Sequence, residues 1–267
     1  MSNYIIYDKL SPFLSLNPFL TGKTILSELY IANQSVESKE QYIDFNLCTL
    51  ANPSFFIKNY SKIFENASLN NETIIALEDS TYLSLTHIKE FFLSSDEESA
   101  KYANCDVEHI NNIIMKDEYI KAIKSELKHS FKNFSAEFYI GNNVENRFFC
   151  NEKIEALFDA IELNRIKMEY SFHPNGYDIY EYNEEIAKKI AGKVLFDAFD
   201  NGADFLIVSD IRTFTFFDTY QKKIAKTFGR DINLPILTLS QVVLMALGIT
   251  DTKALCFDKH FIKPTLL

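Results

Sequence analysis

Residues 202–248 read GADFLIVSDIRTFTFFDTYQKKIAKTFGRDINLPILTLSQVVLMALG, and their order decides the fold. Phe205-Leu206-Ile207-Val208 is a short unbroken apolar run, the pattern of a strand buried on both faces of a parallel sheet. Ser209-Asp210 turns the chain, and the spacing predicts a helix over Thr215–Phe228. Leu234-Pro235-Ile236-Leu237 is a second apolar run. Leu239–Leu247 reads as a last helix, stopped by Gly248. Strands alternating with helices predict parallel strands joined by crossover helices.

The same alternation extends upstream to about residue 134. Ser135–Ile140 reads as a strand ending in Gly141-Asn142-Asn143. A helix over Glu152–Glu162 turns Ile154, Leu157, Phe158 and Ile161 inward. Ile166–Phe172 reads as a strand ending in His173-Pro174-Asn175-Gly176, and Asn183–Asp200 as a helix. The turns at Asn142, Pro174–Gly176 and Asp210–Thr213 all follow strand C-termini. In open α/β sheets that edge is where ligands bind, so the three turns are expected to converge.

Residues 134–267 are therefore read as one α/β domain with a mostly parallel sheet. Residues 85–133 read as a helical segment, with Val107, Ile110, Ile113 and Ile114 on one face and Tyr119, Ile120, Ile123 and Leu127 continuing it. Ser94-Ser95-Asp96-Glu97-Glu98 has the chemistry of a helix start. Residues 1–84 read as a small α+β domain. It has a β-like run at Asn3–Tyr7, a helix over Lys23–Asn33, and short apolar runs at Ile43–Leu50, Phe55–Tyr60 and Thr73–Leu77. No internal repeat is read from the sequence.

Composition bounds the function. Of 267 residues, 47% are hydrophobic and 24% charged, ordinary for a globular chain. The net charge of −10 argues against a nucleic-acid binder, which neutralises phosphates with clustered Lys and Arg. No apolar run reaches the roughly 18–20 residues that span a bilayer, and no signal peptide is read at the start. Cys48, Cys105, Cys150 and Cys256 form no C-x-x-C pair and read as free thiols of a cytoplasmic protein. No G-x-S-x-G, G-x-x-x-x-G-K-[ST] or G-x-G-x-x-G setting occurs.

Tyr139-Ile140-Gly141-Asn142, Pro174-Asn175-Gly176, Gly202-Ala203-Asp204, Asp210-Ile211-Arg212-Thr213, Leu239-Ser240-Gln241 and Ala246-Leu247-Gly248 follow one another in a telling order. About 31 residues separate Asn142 from Pro174, and about 34 separate Asn175 from Asp210. This order and spacing resemble the cysteine-rich CCG domain of the heterodisulfide-reductase-B-like family. The resemblance covers roughly the second half of the chain. It implies an iron–sulfur site whose cysteines would stand at Asn142, Pro174, Asn175, Asp210 and Thr213. None of the five is cysteine, and such clusters require soft thiolate ligands. Thr24-Ile25-Leu26 and Tyr42-Ile43-Asp44-Phe45-x-x-Cys48 resemble the β-grasp domain of succinate dehydrogenase and fumarate reductase iron–sulfur subunits. That implies a degenerate β-grasp-like first domain with a single remaining cysteine.

The expected protein is a cluster-free relative of electron-transfer subunits. It has no cofactor, metal or catalytic role of its own and serves as a structural or partner-binding component, with no direct membrane insertion. Two alternatives are an accessory subunit of a redox complex, and a ligand-binding protein or enzyme that uses the re-made pocket. That pocket is assigned to Asn142, His173, Pro174, Asn175, Asp210, Arg212 and Thr213. The bland expectation for the same residues is a polar network filling the vacated space, with Asp210 and Arg212 paired as ions. Phe214, Phe216, Phe217 and Tyr220 form an aromatic run, read as core with some rings free to make a partner contact.

Overall fold

The computed structural model describes residues 3–7, 17–29, 31, 33–36, 53–94, 104–141 and 151–266. The first described half runs β1 (Asn3–Tyr7), α1 (Asn17–Glu28), β2 (Asn33–Val36), α2 (Pro53–Asn70), β3 (Glu72–Ala76), α3 (Asp79–Ser94), β4 (Val107–His109), α4 (Ile110–Ile114) and α5 (Asp117–Ser125). The second runs β5 (Ser135–Tyr139), α6 (Asn151–Ala160), β6 (Asn164–Arg165), α7 (Glu184–Asp200), β7 (Phe205–Val208), α8 (Ile211–Thr219), α9 (Gln221–Thr227), β8 (Ile236–Thr238) and α10 (Leu239–Ala246). Short 3-10 turns add Tyr177–Ile179 before α7 and Phe257–Lys259 after α10. The α/β class, with parallel sheets and alternating strands and helices, is as the second half of the sequence predicts.

The two halves share one topology. The sheets have the orders β2-β1-β3-β4 and β6-β5-β7-β8, and every described pairing is parallel. The registers agree as well: Tyr7 and His109 flank Ala76 as Tyr139 and Thr238 flank Val208. An internal repeat is therefore present where none was read. Topology survives when side chains do not, and a repeat hidden at this level leaves little trace in residue identity.

The first half corrects the β-grasp-like expectation. Among the described residues its sheet is parallel throughout, and its fourth strand, β4, lies inside the stretch read as helical. Phe55–Tyr60 lies within α2, opened by Pro53 at a helix's first position, with Ile63, Phe64 and Ala67 buried one turn apart. Ile43–Leu50 and residues 95–98 lie outside the described residues.

Two boundaries in the second half also move. The strand read at Ile166–Phe172 is not formed: pairing is confined to Asn164–Arg165 just before it, and beyond that the backbone N–H of Tyr170 donates to the Asp197 carboxylate of α7 at 2.8 Å. The helix read at Thr215–Phe228 starts earlier and breaks at Tyr220. Asp210 caps its start. The buried Gln221 side chain then donates to the Phe217 and Leu234 carbonyls and accepts from Leu234 N–H at 2.9 Å, fixing the break against the approach to β8.

The halves do not stand apart. One apolar core runs through both, from Ile25, Ile75, Leu77 and Ile113 to Phe138, Ile207, Leu237 and Val242. Helix α1 leaves the first sheet to pack along α10 and beside β8. Gly22 permits that approach: a Cβ there would lie 2.9 Å from Leu77 Cδ2 and 3.4 Å from Ile110 Cγ1. A second core under α7, α8 and α9 and a third under α2 and α3 cover the outer sheet faces.

Candidate functional site

The C-terminal ends of β3 and β7 meet where the two sheets face each other. Each ends in the same device two residues past the strand. Glu78 Oε1 accepts from the Thr81 N–H at 2.5 Å and from the Thr81 hydroxyl. Asp210 Oδ2 accepts from the Thr213 N–H at 2.7 Å and from its hydroxyl at 2.8 Å. The carbonyls of both acids accept from the residue four further on, Tyr82 and Phe214. Each acid thus caps the helix that follows, where a negative group suits the exposed N–H groups.

Three hydrogen bonds cross between the halves at this point. Asp79 N–H donates to the Ser209 carbonyl at 3.2 Å, and the Ser209 hydroxyl donates to Asp79 Oδ2 at 2.7 Å. The Ser80 hydroxyl donates to Asp210 Oδ1 at 3.1 Å. His109 Nε2 lies 3.1 Å from Asp79 Oδ1, and His109 Nδ1 accepts from Asn111 N–H to cap α4. In the equivalent place Thr238 caps α10 through Gln241.

The electrostatics follow from burial. Glu78 is 1% exposed, and its carboxyl is pushed up to about 7, first by loss of water and then by the negative Asp210, against the pull of the Thr81 and Ser80 hydrogen bonds. Asp210 keeps part of its residue surface exposed, yet its carboxylate is enclosed and rises to about 6. Desolvation leads, Asp79 adds to it, and the Thr213 and Ser80 bonds oppose it. The Tyr139 phenol, buried near Asp210 and donating to the His173 carbonyl, is also raised.

The structure brings some of the expected site residues together. Asn175 Nδ2 donates to Thr213 Oγ1 at 2.6 Å, so Asn175, Thr213, Asp210 and Ser80 form one hydrogen-bonded chain. Gly176 has φ of 86°, and a Cβ there would sit 2.6 Å from the Ala187 carbonyl, so this turn fits against α7 only with glycine. His173 and Pro174 are exposed; His173 joins the site through its backbone carbonyl, its ring lying against Tyr170. Arg212 corrects the expected ion pair: it turns outward and meets Asp178 at 3.4 Å. Asn142 lies outside the described residues, as does Cys48. Phe214, Phe216 and Phe217 are core residues, and Tyr220 is partly exposed.

Glu78, Asp79, Ser80, Thr81 and His109 were not singled out from the sequence. A signal was there: Glu78-x-x-Thr81 follows one apolar run as Asp210-x-x-Thr213 follows another. The donor set does not fit an iron–sulfur cluster. Proline offers no donor, and the polar atoms of Asn175, Thr213 and Asp210 are spent on one another rather than being soft and free.

These features define a two-lobed α/β protein with parallel sheets whose strand ends meet at a buried carboxyl cluster. Residues 177–261 match the HdrB-like C-terminal domain, so this segment carries that domain, and Asp210, Arg212 and Thr213 lie within it. The match does not reach the first lobe. A hypothetical protein from Helicobacter pylori shares the fold across 100% of this chain, with a TM-score of 0.75 and 21% identity. The match covers 53% of that protein, so this chain spans about half its length. A candidate Asp/Glu racemase from Yersinia pestis aligns over 96% of this chain and 99% of its own, but with a TM-score of 0.33 and 10% identity the overlap is too loose to bear on the fold. No curated protein sequence matches the chain. No helix among the described residues is long and apolar enough to cross a membrane.

Proposed function

We propose that this protein is a cluster-free relative of iron–sulfur electron-transfer subunits, acting as a structural, partner-binding component related to redox complexes. The HdrB-like segment supplies the relation. The carrying observation is the chain Ser80–Asp210–Thr213–Asn175. Residues standing where the family's thiolates would be are bonded to one another and to the opposite lobe. They hold the strand ends together, a role that suits a scaffold. Iron and acid-labile sulfide measured on anaerobically purified protein test this. The expected content is none, and stoichiometric iron refutes it.

A second reading rests on a different observation, the raised carboxyls of Glu78 and Asp210 at a strand-end junction. Perturbed acids in such a place are a frequent mark of acid–base or ligand sites. A thermal-shift screen with small anions and metal ions tests it: a stabilising ligand whose effect vanishes in Asp210→Ala supports this reading, and one whose effect persists opposes it.

A further inference from the structure

The segment that follows α10 packs against elements of both halves. Leu255, Phe257, Ile262 and Leu266 are buried along it, and Leu255, Phe257 and Leu266 join the core that α1 and α10 share. Its 3-10 turn at Phe257–Lys259 lies against α1. His260 stands edge-on to Phe214 of α8, whose ring meets Phe19 of α1.

Three buried polar side chains fasten this segment. Asp218 of α8 accepts from the N–H groups of Phe261 at 2.8 Å and Ile262 at 3.0 Å. Gln241 of α10 fixes the state of His260. Its Oε1 accepts from the Thr238 N–H at 2.9 Å, so its amide nitrogen is the atom that meets the Leu255 carbonyl at 2.7 Å and His260 Nε2 at 2.9 Å. An amide NH2 only donates, so Nε2 accepts and carries no proton. The neutral ring then holds its proton on Nδ1, which lies 4.0 Å from Asp218 Oδ1, beyond hydrogen-bond reach.

A second proton has no good place on this ring. On Nε2 it would point at the Gln241 NH2, donor against donor. Turning the Gln241 amide over would relieve that contact. It would also set the NH2 against the Thr238 N–H and the oxygen against the Leu255 carbonyl, breaking the bonds that cap α10 and hold the segment. The charged groups about His260 do not reverse this. Lys263 repels the cation, Asp258 attracts it, and the Ile236 carbonyl adds a smaller pull. The Asp218 carboxylate is already taken by two backbone N–H groups, and its own burial shifts it toward protonation.

We propose that Gln241, His260 and Asp218 form an acid-released latch, and that protonation of His260 frees residues 255–266 while both sheets stay folded. Burial, with Lys263 adding, lowers the latched His260 to about 4 from its ordinary 6.5. A depressed imidazole contributes fully above 6.5 and loses that contribution as pH falls toward 4. Glu78 and Asp210 are raised and slope the opposite way. The same fall in pH therefore tightens the strand-end junction as it loosens the segment.

Hydrogen exchange read by mass spectrometry on the full chain, corrected for intrinsic rates, tests this at pH 8 and pH 5. Protection of peptides within 255–266 is expected to fall about tenfold or more, with β5 and β7 equally or better protected. His260→Gln sets a non-titrating amide in the ring's place and should hold its protection constant between the two pH values. Ring nitrogen-15 NMR at pH 8, with His260 assigned by its absence from that variant, should show Nδ1 protonated and Nε2 bare. Unchanged protection of 255–266 in the parent protein would overturn the proposal, even where the variant fails to fold. So would a proton on Nε2, a pH response kept in His260→Gln, or loss of protection in β5 and β7 together with 255–266.

Discussion

The turn after β3 and the turn after β7 are one device built twice in different surroundings. Both place an acid two residues past the strand and a threonine three further on, and both acids cap the next helix. Their intervening residues diverge. Asp79 bonds Ser209 across the junction and lies beside His109 of its own lobe, whereas its counterpart Ile211 enters the apolar core. Ser80 reaches across to Asp210, whereas its counterpart Arg212 turns outward to Asp178. Both turns therefore meet across the junction, the first through Asp79 and Ser80 and the second through Ser209 and Asp210, while Ile211 and Arg212 of the second serve its own lobe. The shared core through α1 and α10 adds an apolar bond between the lobes to these polar ones.

The strongest way to break this arrangement is to fill the space that lets α1 cross over. Gly22→Leu puts atoms where Leu77 and Ile110 already stand, and should cost about 3 kcal/mol. Because both lobes share that core, urea unfolding followed by fluorescence and by circular dichroism should shift as one transition. Separate transitions would show that the lobes are independent.

The two acids then separate by pH. The folded Glu78 carboxyl, at about 7, lies above its ordinary value of 4.5, so the folded state binds the extra proton. Its favourable contribution is full below about 4.5 and is lost as pH rises through 7. Glu78→Gln keeps the acceptor without the charge. It should stabilise the protein at pH 8 relative to pH 5 by about 2 kcal/mol compared with the parent, read from thermal melts. Asp210→Asn should show the same sign in a lower window, between the ordinary 3.8 and about 6, with a somewhat smaller effect because its carboxyl is raised less. Each acid is raised partly by its acidic neighbours, so the double variant should fall short of the sum. His260 slopes the other way. Burial beside Phe214 and Phe257, with Lys263 adding, lowers it to about 4, so its neutral form's contribution is full above 6.5 and lost as pH falls toward 4. His260→Gln should flatten that acid limb.

The second lobe was far more legible in the sequence than the first. Phe205–Val208 and Leu234–Leu237 are continuous apolar runs, and a strand buried on both faces has no other way to look. The resemblance drew attention to Asp210, but its capping role went unread, since the spacing predicts the helix from Thr215 and it starts at Ile211. The twin at Glu78 went unread: its acid stands beside a second acid, Asp79, and Glu-Asp ahead of a helix looks like an ordinary first turn. Phe55–Tyr60 misled for a related reason, since a short apolar run fits a strand or a buried helix equally well. Arg212 was paired with Asp210 on proximity in sequence. Residues two apart at a helix start do not face each other, and the side chain found Asp178.

The smallest effect tests the divergence of the two turns directly. Ser80 and Arg212 occupy equivalent places, and each makes a polar contact with an aspartate. Ser80 touches an enclosed carboxylate, and Ser80→Ala removes a donor from Asp210 where water does not readily replace it, at about 1 kcal/mol. Arg212 pairs with Asp178, whose side chain is 79% exposed, so solvent screens the pair and the arginine's ordering entropy offsets what remains. Arg212→Ala should therefore change stability by no more than about 0.5 kcal/mol and vanish at high salt, while Ser80→Ala should not respond to salt. Equal costs for the two alanine variants would mean that the Ser80 contact carries no more than a screened surface pair, and that the junction is held by the Asp79–Ser209 bonds and the apolar contacts of α1 and α10.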